Sequence, residues 1–325
     1  MRILVTGAAG FIGFSTSLAL LERGDEVVGL DNVNDYYDVQ LKHARLSQLK
    51  KFRNFRFEAA NIGDLQQLEN IFRTQGPFPK VLHLAANAGV RYSQQYPLQV
   101  INSNVVGHAN ILQLCRLSEN FEHLVFASSS SIYSQHDKLP FSVENRVDRP
   151  VSIYAATKAA DELISHVYAD NFNLPQSALR YFTVYGPWGR PDMSYYLFSN
   201  AITNSTPIRL FNFGNMHRDF TYIDDIVSGT VAALDNPPSQ DSQSVPIQAY
   251  NLGAGTTEPL EKMVSLLEHY LGMKAEKIYE AGPRGEMLAT YADIKLTTEN
   301  LGYSPAVCLE DGMERFVHWY QSYHR

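Results

Sequence analysis

The sequence predicts a doubly wound α/β fold, a parallel sheet covered by helices on both faces, carrying a smaller C-terminal lobe. Short, continuous apolar runs alternate with helical patterns from the first residues onward, which is the signature of strands buried on both faces. That regularity fails after Tyr181, where 183–222 turns rich in Gly, Pro, Asn and aromatics. In order, "RILVT" (2–6) predicts a first strand and 12–23 a helix stopped by Gly24. "EVVGLD" (26–31), "FRFEAA" (55–60) and "KVLHLAA" (80–86) follow as strands, with helices predicted at 41–49 and 65–74 between them. A long helix at 97–118 leads to "HLVFAS" (123–128), and a helix at 152–171 leads to "QSALRYF" (176–182). Beyond the irregular stretch come a strand "AYNLGAG" (249–255) and helices at 258–271 and 309–323. The implied division is a sheet domain of 1–182, to which 219–255 returns, and a lobe of 183–218 and 256–325 over the carboxyl edge of the sheet, where ligands of such folds bind.

Composition narrows the function. With 325 residues and 45% hydrophobic content the chain can bury a full core, and a net charge of −7 provides no global basic surface for nucleic acid. The two cysteines, Cys115 and Cys308, have no metal-type spacing partner and read as packed free thiols of a reducing compartment. "MRILVTGAAGFIG" enters an apolar strand directly, and no run approaches the ~20 apolar residues of a membrane span. The expectation is a cytoplasmic protein without a membrane anchor or a metal site.

"TGAAGFIG" sets Gly7, Gly10 and Gly13 directly after the first strand and at the start of the first helix. Backbone N–H groups there can approach a pyrophosphate without obstruction by Cβ atoms, although a tight turn needing small residues would read the same way. Eighteen residues after Gly13 the second strand ends in Asp31, whose carboxylate can accept from ribose hydroxyls and would repel a 2′-phosphate, favouring NAD over NADP. Asn61 and Ile62, after the third strand, stand where an adenine would lie; Asn61 could equally cap the helix that follows.

"SIYAATK" (152–158) places Tyr154 and Lys158 on one helix face. The pair is either a packed ring under a snorkelling lysine or a phenol whose proton affinity is lowered by a fixed charge.

Gly7, Gly10 and Gly13 with "HLAA" (83–86), "SNVVG" (103–107), "SSSSIY" (128–133), Tyr154 and Lys158 resemble the extended short-chain dehydrogenase/reductase superfamily, whose cofactor domain is the Rossmann fold. Within it, "DNVNDYYDVQLKHARL" (31–46), "AGVRYS" (88–93), "VSIYAATK" (151–158), "YGPWGRPDM" (185–193) and "RDFTYIDDI" (218–226) resemble the nucleotide-sugar 4-epimerases acting on UDP-glucuronate. The resemblance implies that Ser129, Tyr154 and Lys158 form the catalytic set. Tyr154 would remove the O4 proton as C4 gives hydride to NAD, the 4-keto sugar would turn over, and hydride would return to its opposite face. It also adds Phe11, Ile12, Asn32, Leu84, Ala85, Ala86, Asn104 and Tyr181 to the NAD-binding residues, with Tyr154 and Lys158 themselves.

For the substrate, the resemblance implies Arg218 as a diphosphate ligand, with Arg284 as a second charge or a surface arginine. Ser129, Ser130, Ser131, Thr183 and Arg190 would surround the sugar, Arg190 as a carboxylate anchor or as a loop-fixing contact to a backbone carbonyl. The serines could instead satisfy the strand end's own backbone. Ser134 and Asn87 depart from the usual pattern. Related decarboxylases and 4,6-dehydratases typically carry a glutamate where this chain has Ser131, which argues against both. A glucose/galactose-type (or N-acetylated) 4-epimerase and a non-catalytic NAD-binding sensor are the rival readings. Relatives that dimerise through a four-helix bundle imply a homodimer built on 97–118 and 152–171.

Overall fold

The computed structural model describes residues 1–133, 138–239, 244–282 and 287–325. Its centre is a seven-stranded, wholly parallel sheet. The strands β1 (Arg2–Thr6), β2 (Glu26–Asp31), β3 (Phe55–Ala59), β4 (Lys80–His83), β5 (His123–Ser129) and β6 (Gln176–Tyr181), with a seventh at Ile247–Leu252, run in the order seventh, β6, β5, β4, β1, β2, β3. Strand order therefore reverses at β1, where Thr6 lies opposite His83 on one side and Leu30 on the other. The doubly wound prediction holds, and the reversal opens the crevice in which such folds bind ligands.

Each face of the sheet has its own core. Phe14, Leu20 and Leu21 of helix Phe11–Arg23 and Ile226, Ala233 and Leu234 of helix Ile223–Asp235 cover one face, and this core runs on into the lobe through Tyr195, Leu210, Met263, Met313 and Phe316. Leu68 and Ile71 of helix Leu65–Gln75 and Ile111, Leu112 and Cys115 of helix Gly107–Leu117 cover the other. Cys115 is buried as expected, whereas Cys308 is exposed at the start of helix Leu309–Tyr323. No helix among the described residues is long and apolar enough to cross a membrane.

Several element boundaries differ from the sequence reading. The fourth strand stops at His83 rather than running to 86, because Thr6 ends the pairing: its carbonyl accepts from the Leu84 N–H at 3.2 Å and its hydroxyl from the Ala85 N–H at 3.1 Å. The long helix at 97–118 is broken into Pro97–Ile101, a π turn at Asn102–Val106 and Gly107–Leu117, with a short helix Val90–Gln95 before it. The wide turn carries Asn104, whose bonds reach two other elements, a use typical of π bulges. Helices Ser194–Thr203 and Ile223–Asp235 lie in and just after the stretch read as irregular, where aromatic and β-branched residues mask the helical period. Among the described residues, three two-stranded pairs stand outside the central sheet: Thr183–Tyr185 with Phe220–Tyr222, His217–Arg218 with Glu258–Pro259, and Ile208–Phe211 with Lys277–Glu280.

Candidate active site

A cavity of about 980 Å³ opens along the carboxyl ends of the strands, between the sheet and the lobe. Single ligand sites typically run ~300–1,000 Å³, so this one has room for an extended ligand or two abutting ones.

Its floor is backbone. Gly7 takes a positive φ of 74°, and a Cβ there would stand 2.8 Å from the Ala85 nitrogen, so the first loop packs main chain on main chain against the end of β4. A Cβ on Gly13 would overlap the Gly7 carbonyl. Gly10 caps the first helix without any side-chain bond, leaving the N–H groups of that helix end turned toward the cavity that Gly10, Phe11, Ile12 and Gly13 line. These features fit a pyrophosphate. Asp31 is buried at the cavity edge beside Asn32; one carboxylate oxygen accepts from the Ala9 N–H at 3.1 Å and the other from the Val33 N–H at 2.8 Å. It thus ties the glycine loop to the second strand and keeps lone pairs for hydroxyl donors.

Ile62, Leu84, Ala85 and Ala86 line the cavity as expected, but three of the expected cofactor residues behave differently. Asn61 is exposed and outside the lining; its side chain accepts from the Gly63 N–H at 2.9 Å in a local turn, and the helix that follows is capped by Asp64 rather than by Asn61, so neither reading of Asn61 holds. Asn104 is buried behind the wall, accepting from the Asn87 N–H at 2.8 Å and donating to the Asn87 carbonyl at 3.2 Å and the Thr157 hydroxyl at 3.0 Å. It positions the Asn87 loop against the helix that carries Tyr154 and does not itself face the cavity. Tyr181 lines the cavity, while its hydroxyl is spent on Thr230 at 3.0 Å.

Ser129, Tyr154 and Lys158 all line the middle of the cavity. Ser129 ends β5, where its Oγ accepts from the Ser131 N–H at 3.1 Å and shares a 3.2 Å bond with the Ser131 hydroxyl. Helix Ile153–Phe172 begins here because Ser152 caps it, accepting from the Ala155 N–H at 3.1 Å, and that start fixes Tyr154 in the first turn. The Tyr154 ring is half-buried, and its hydroxyl bonds to nothing among the described residues. Lys158 is buried, with Nζ 3.0 Å from Asp161 Oδ2.

The far wall comes from side chains. Ser130, Ser131, Thr183, Arg190 and Arg218 line it as expected, and Arg91, Arg209 and Phe211, which the sequence reading does not single out, join them. Arg91 lies over the Phe211 ring at 4.9 Å, and Arg218 donates to the His217 and Leu288 carbonyls at 2.9 and 3.2 Å. Arg190 clamps Asp192 through Nε at 3.1 Å and Nη2 at 2.6 Å, and Nη2 also donates to the Ala88 carbonyl at 3.1 Å. The loop-fixing contact is therefore present, strengthened by an ion pair to which Tyr36 adds a 2.8 Å bond. Arg284 and Ser134 lie outside the described residues.

Arg45 links the two walls. Fully buried, it donates to the Ala9 carbonyl at 2.9 Å and the Tyr37 hydroxyl at 2.7 Å on the glycine-loop side, and to the Gly189 carbonyl at 3.1 Å and twice to the Trp188 carbonyl on the lobe side. Among the described residues no carboxylate answers it; its partners there are backbone oxygens and one phenol.

Residues 3–253 match the NAD dependent epimerase/dehydratase family. The chain belongs to that family. Among relatives of this epimerase/dehydratase chain, UDP-glucuronate 4-epimerase 4 of Arabidopsis thaliana is 44% identical over 334 residues, spanning all of this chain and 76% of the relative. Of solved structures, the UDP-glucuronic acid 4-epimerase from Bacillus cereus in complex with UDP-glucuronic acid and NAD superposes with a TM-score of 0.89 at 34% identity, covering 99% of this chain and 100% of the other. The UDP-glucose 4-epimerase of Thermotoga maritima with UDP-glucose reaches 0.88 at 27% identity, covering both chains fully.

Proposed function

We propose that this epimerase/dehydratase family member interconverts UDP-glucuronate and UDP-galacturonate as an NAD-dependent 4-epimerase. The observation that carries the reading is the alignment, in one cavity, of the glycine loop and Asp31, the Ser129, Tyr154 and Lys158 set, and a wall of hydroxyls and arginines. Relatives that match this chain along its whole length and bear the UDP-glucuronate 4-epimerase name support the choice of sugar.

NAD, when bound, supplies the oxidant that takes the C4 hydrogen of the sugar and gives it back. Gly7, Gly10, Phe11, Ile12, Gly13, Asp31 and Asn32 would hold it, with Ile62 and Leu84, Ala85 and Ala86 against its flat faces. Ser129 orients the sugar O4, and Tyr154, with an otherwise unpartnered hydroxyl, accepts and returns the O4 proton. Lys158 supplies the positive charge that makes the phenolate accessible. Ser130, Ser131 and Thr183 hold the C6 carboxylate by hydrogen bonds, keeping the C5–C6 bond out of line with the C4 carbonyl so that carbon dioxide is retained. Arg190, committed to Asp192, offers that carboxylate at most its Nη1. Arg218, with Arg91 and Arg209, meets the diphosphate.

Residues 1–182 with 219–255 would form the cofactor domain and 183–218 with 256–325 the sugar-nucleotide lobe. Leu98, Leu117, Leu163 and Val167 are 79%, 63%, 68% and 52% exposed on the helices between 97 and 172, which supports burial against the same helices of a second copy. Unpaired Cys115 and Cys308 accord with a cytoplasmic enzyme.

The test is NMR of the purified protein with UDP-glucuronate and no added cofactor, with carbon dioxide counted by mass spectrometry. UDP-galacturonate should form without carbon dioxide loss. Faster epimerisation of UDP-glucose would replace this reading with the neutral-sugar one.

A further inference from the structure

Lys158 lines the cavity, and the residue that holds it does not. Asp161, one helical turn on, has a side chain only 1% exposed and lies 3.0 Å from the Lys158 ammonium, whose own side chain is 4% exposed. Only Oδ2 is used. Oδ1 is buried with no hydrogen-bond partner, so this carboxylate is not placed to knit backbone together, as Asp31 is. Buried carboxylates in structural roles have their oxygens satisfied, and one left half-satisfied calls for another explanation.

The surroundings isolate this pair. On the same helix, Glu162 is answered by Arg180 from β6 at 2.7 Å. From β4, His83 bonds to the Thr6 hydroxyl at 2.7 Å; from helix Gly107–Leu117, His108 bonds to the Ser165 hydroxyl at 2.7 Å and stacks on His83 at 5.4 Å. Burial, aided by the Lys158 charge, pushes His83 down to about 3, and burial likewise drives His108 well below its ordinary value, so both rings stay neutral. With Glu162 answered by Arg180 and both rings neutral, the charges left on this stretch of the helix carrying Tyr154 are the paired Lys158 and Asp161.

We propose that Asp161 is a positioning residue that anchors the Lys158 ammonium from behind and moderates the positive charge that Lys158 brings to the Tyr154 hydroxyl. This rests on the epimerase reading of Tyr154 as proton acceptor. The physical consequence follows from sign alone. A carboxylate behind the ammonium offsets part of its field, raising the proton affinity of Tyr154 above what Lys158 alone would set. A phenolate stabilised too far would be a poor base, and one stabilised too little would not form at working pH. The single bond to Asp161 also leaves two of the three Lys158 N–H donors for the cavity side.

The experiment is a pH titration of protein labelled with 13C at the tyrosine ring carbon bearing oxygen, with the Tyr154 signal assigned by Tyr154→Phe. Wild type, Asp161→Asn and Asp161→Glu are compared with the cofactor they carry as purified. In Asp161→Asn the Tyr154 midpoint should fall by about one pH unit, the size a neighbouring charge produces, and Asp161→Glu should restore it at least in part. The acid limb of the turnover profile on UDP-glucuronate should move in the same direction. An unchanged Tyr154 midpoint in folded Asp161→Asn, even with lowered stability, would overturn the proposal and leave Asp161 a structural residue. Should Asp161→Asn not fold, wild type alone decides: burial, against the pull of Lys158, pushes the Asp161 carboxyl up, so the Tyr154 signal must show a second, smaller inflection on the acid side of its own midpoint, where that carboxyl titrates. The absence of that inflection would overturn the proposal equally. Wild type that turns over no UDP-sugar sinks the epimerase reading while the Tyr154 midpoints remain readable.

Discussion

The two walls of the cavity recognise their ligands by different means. The sheet side is main chain: glycines at 7, 10 and 13, an uncapped helix end, and alanines at 85 and 86, shaped by what is missing from them. The lobe side is side chain: serine and threonine hydroxyls, Arg91 stacked on Phe211, and Arg190 held by Asp192. A wall of backbone is intolerant of addition, since a single methyl has nowhere to go. A wall of side chains is tolerant of addition and sensitive to removal, and each of its groups can be lost separately. Ser129, Tyr154 and Lys158 stand where the two meet.

That contrast can be broken at several points. The largest effect is expected at the seam: Tyr154→Phe should cut turnover ~10²–10⁴-fold, and because the hydroxyl has no partner among the described residues, thermal unfolding should be unchanged and cofactor should still copurify. Near-native turnover would remove Tyr154 from the chemistry. Next, Gly13→Ala adds one methyl against the Gly7 carbonyl. It should destabilise the protein by about 1–3 kcal/mol and deplete bound cofactor, as read by calorimetry and by absorbance of heat-released nucleotide. Full cofactor content in that variant would show that the loop yields more easily than a backbone wall should. On the other wall, Arg218→Ala should raise KM for the UDP-sugar about tenfold with kcat little altered; an equal fall in kcat would mean that Arg218 acts in the transition state.

The smallest effect is expected at Asp192. Burial works to raise its pKa, but the Arg190 charge and the bonds from Arg190 and Tyr36 outweigh it and hold the carboxyl below its usual range. A depressed folded value contributes stability above the unfolded pKa of ~3.9 and loses it as pH falls through the folded value. Asp192→Asn should therefore cost roughly 1–2 kcal/mol at pH 7, and denaturant melts should show the gap to wild type closing below about pH 4. A gap that persists in acid would assign the loss to packing.

The same division explains what was legible in the sequence. Gly7, Gly10 and Gly13 fall within seven residues, and Tyr154 and Lys158 within five, so local spacing announces them. Strands buried on both faces read as apolar runs, and five of the six early ones end within a residue of their predicted limits; β4 overran because Thr6, seventy-seven residues away, terminates it with a side chain. Arg91 reaches Arg209 and Phe211, alternate residues of one strand, from more than a hundred residues away, and no spacing connects it to them. Asn104 was legible as a residue near the cofactor region but not as one facing away, since a π turn alters the direction of a side chain without altering composition. Asp161 looks like any acidic residue on a helix surface until the neighbouring helix and strand bury it.

Arg45 bears on how long a ligand stays. Its guanidinium is shared between the Ala9 carbonyl under the glycine loop and the Trp188 and Gly189 carbonyls of the lobe. Swinging the lobe away from the sheet would leave a buried cation facing one half of its partners, a separation far harder than parting two apolar surfaces. A dehydrogenase must exchange its nicotinamide after every turnover and gains from a cleft that opens. An isomerase that finishes each cycle with the cofactor as it began gains from the opposite. A charge riveted across the seam suits a cofactor that is a tenant for the life of the protein.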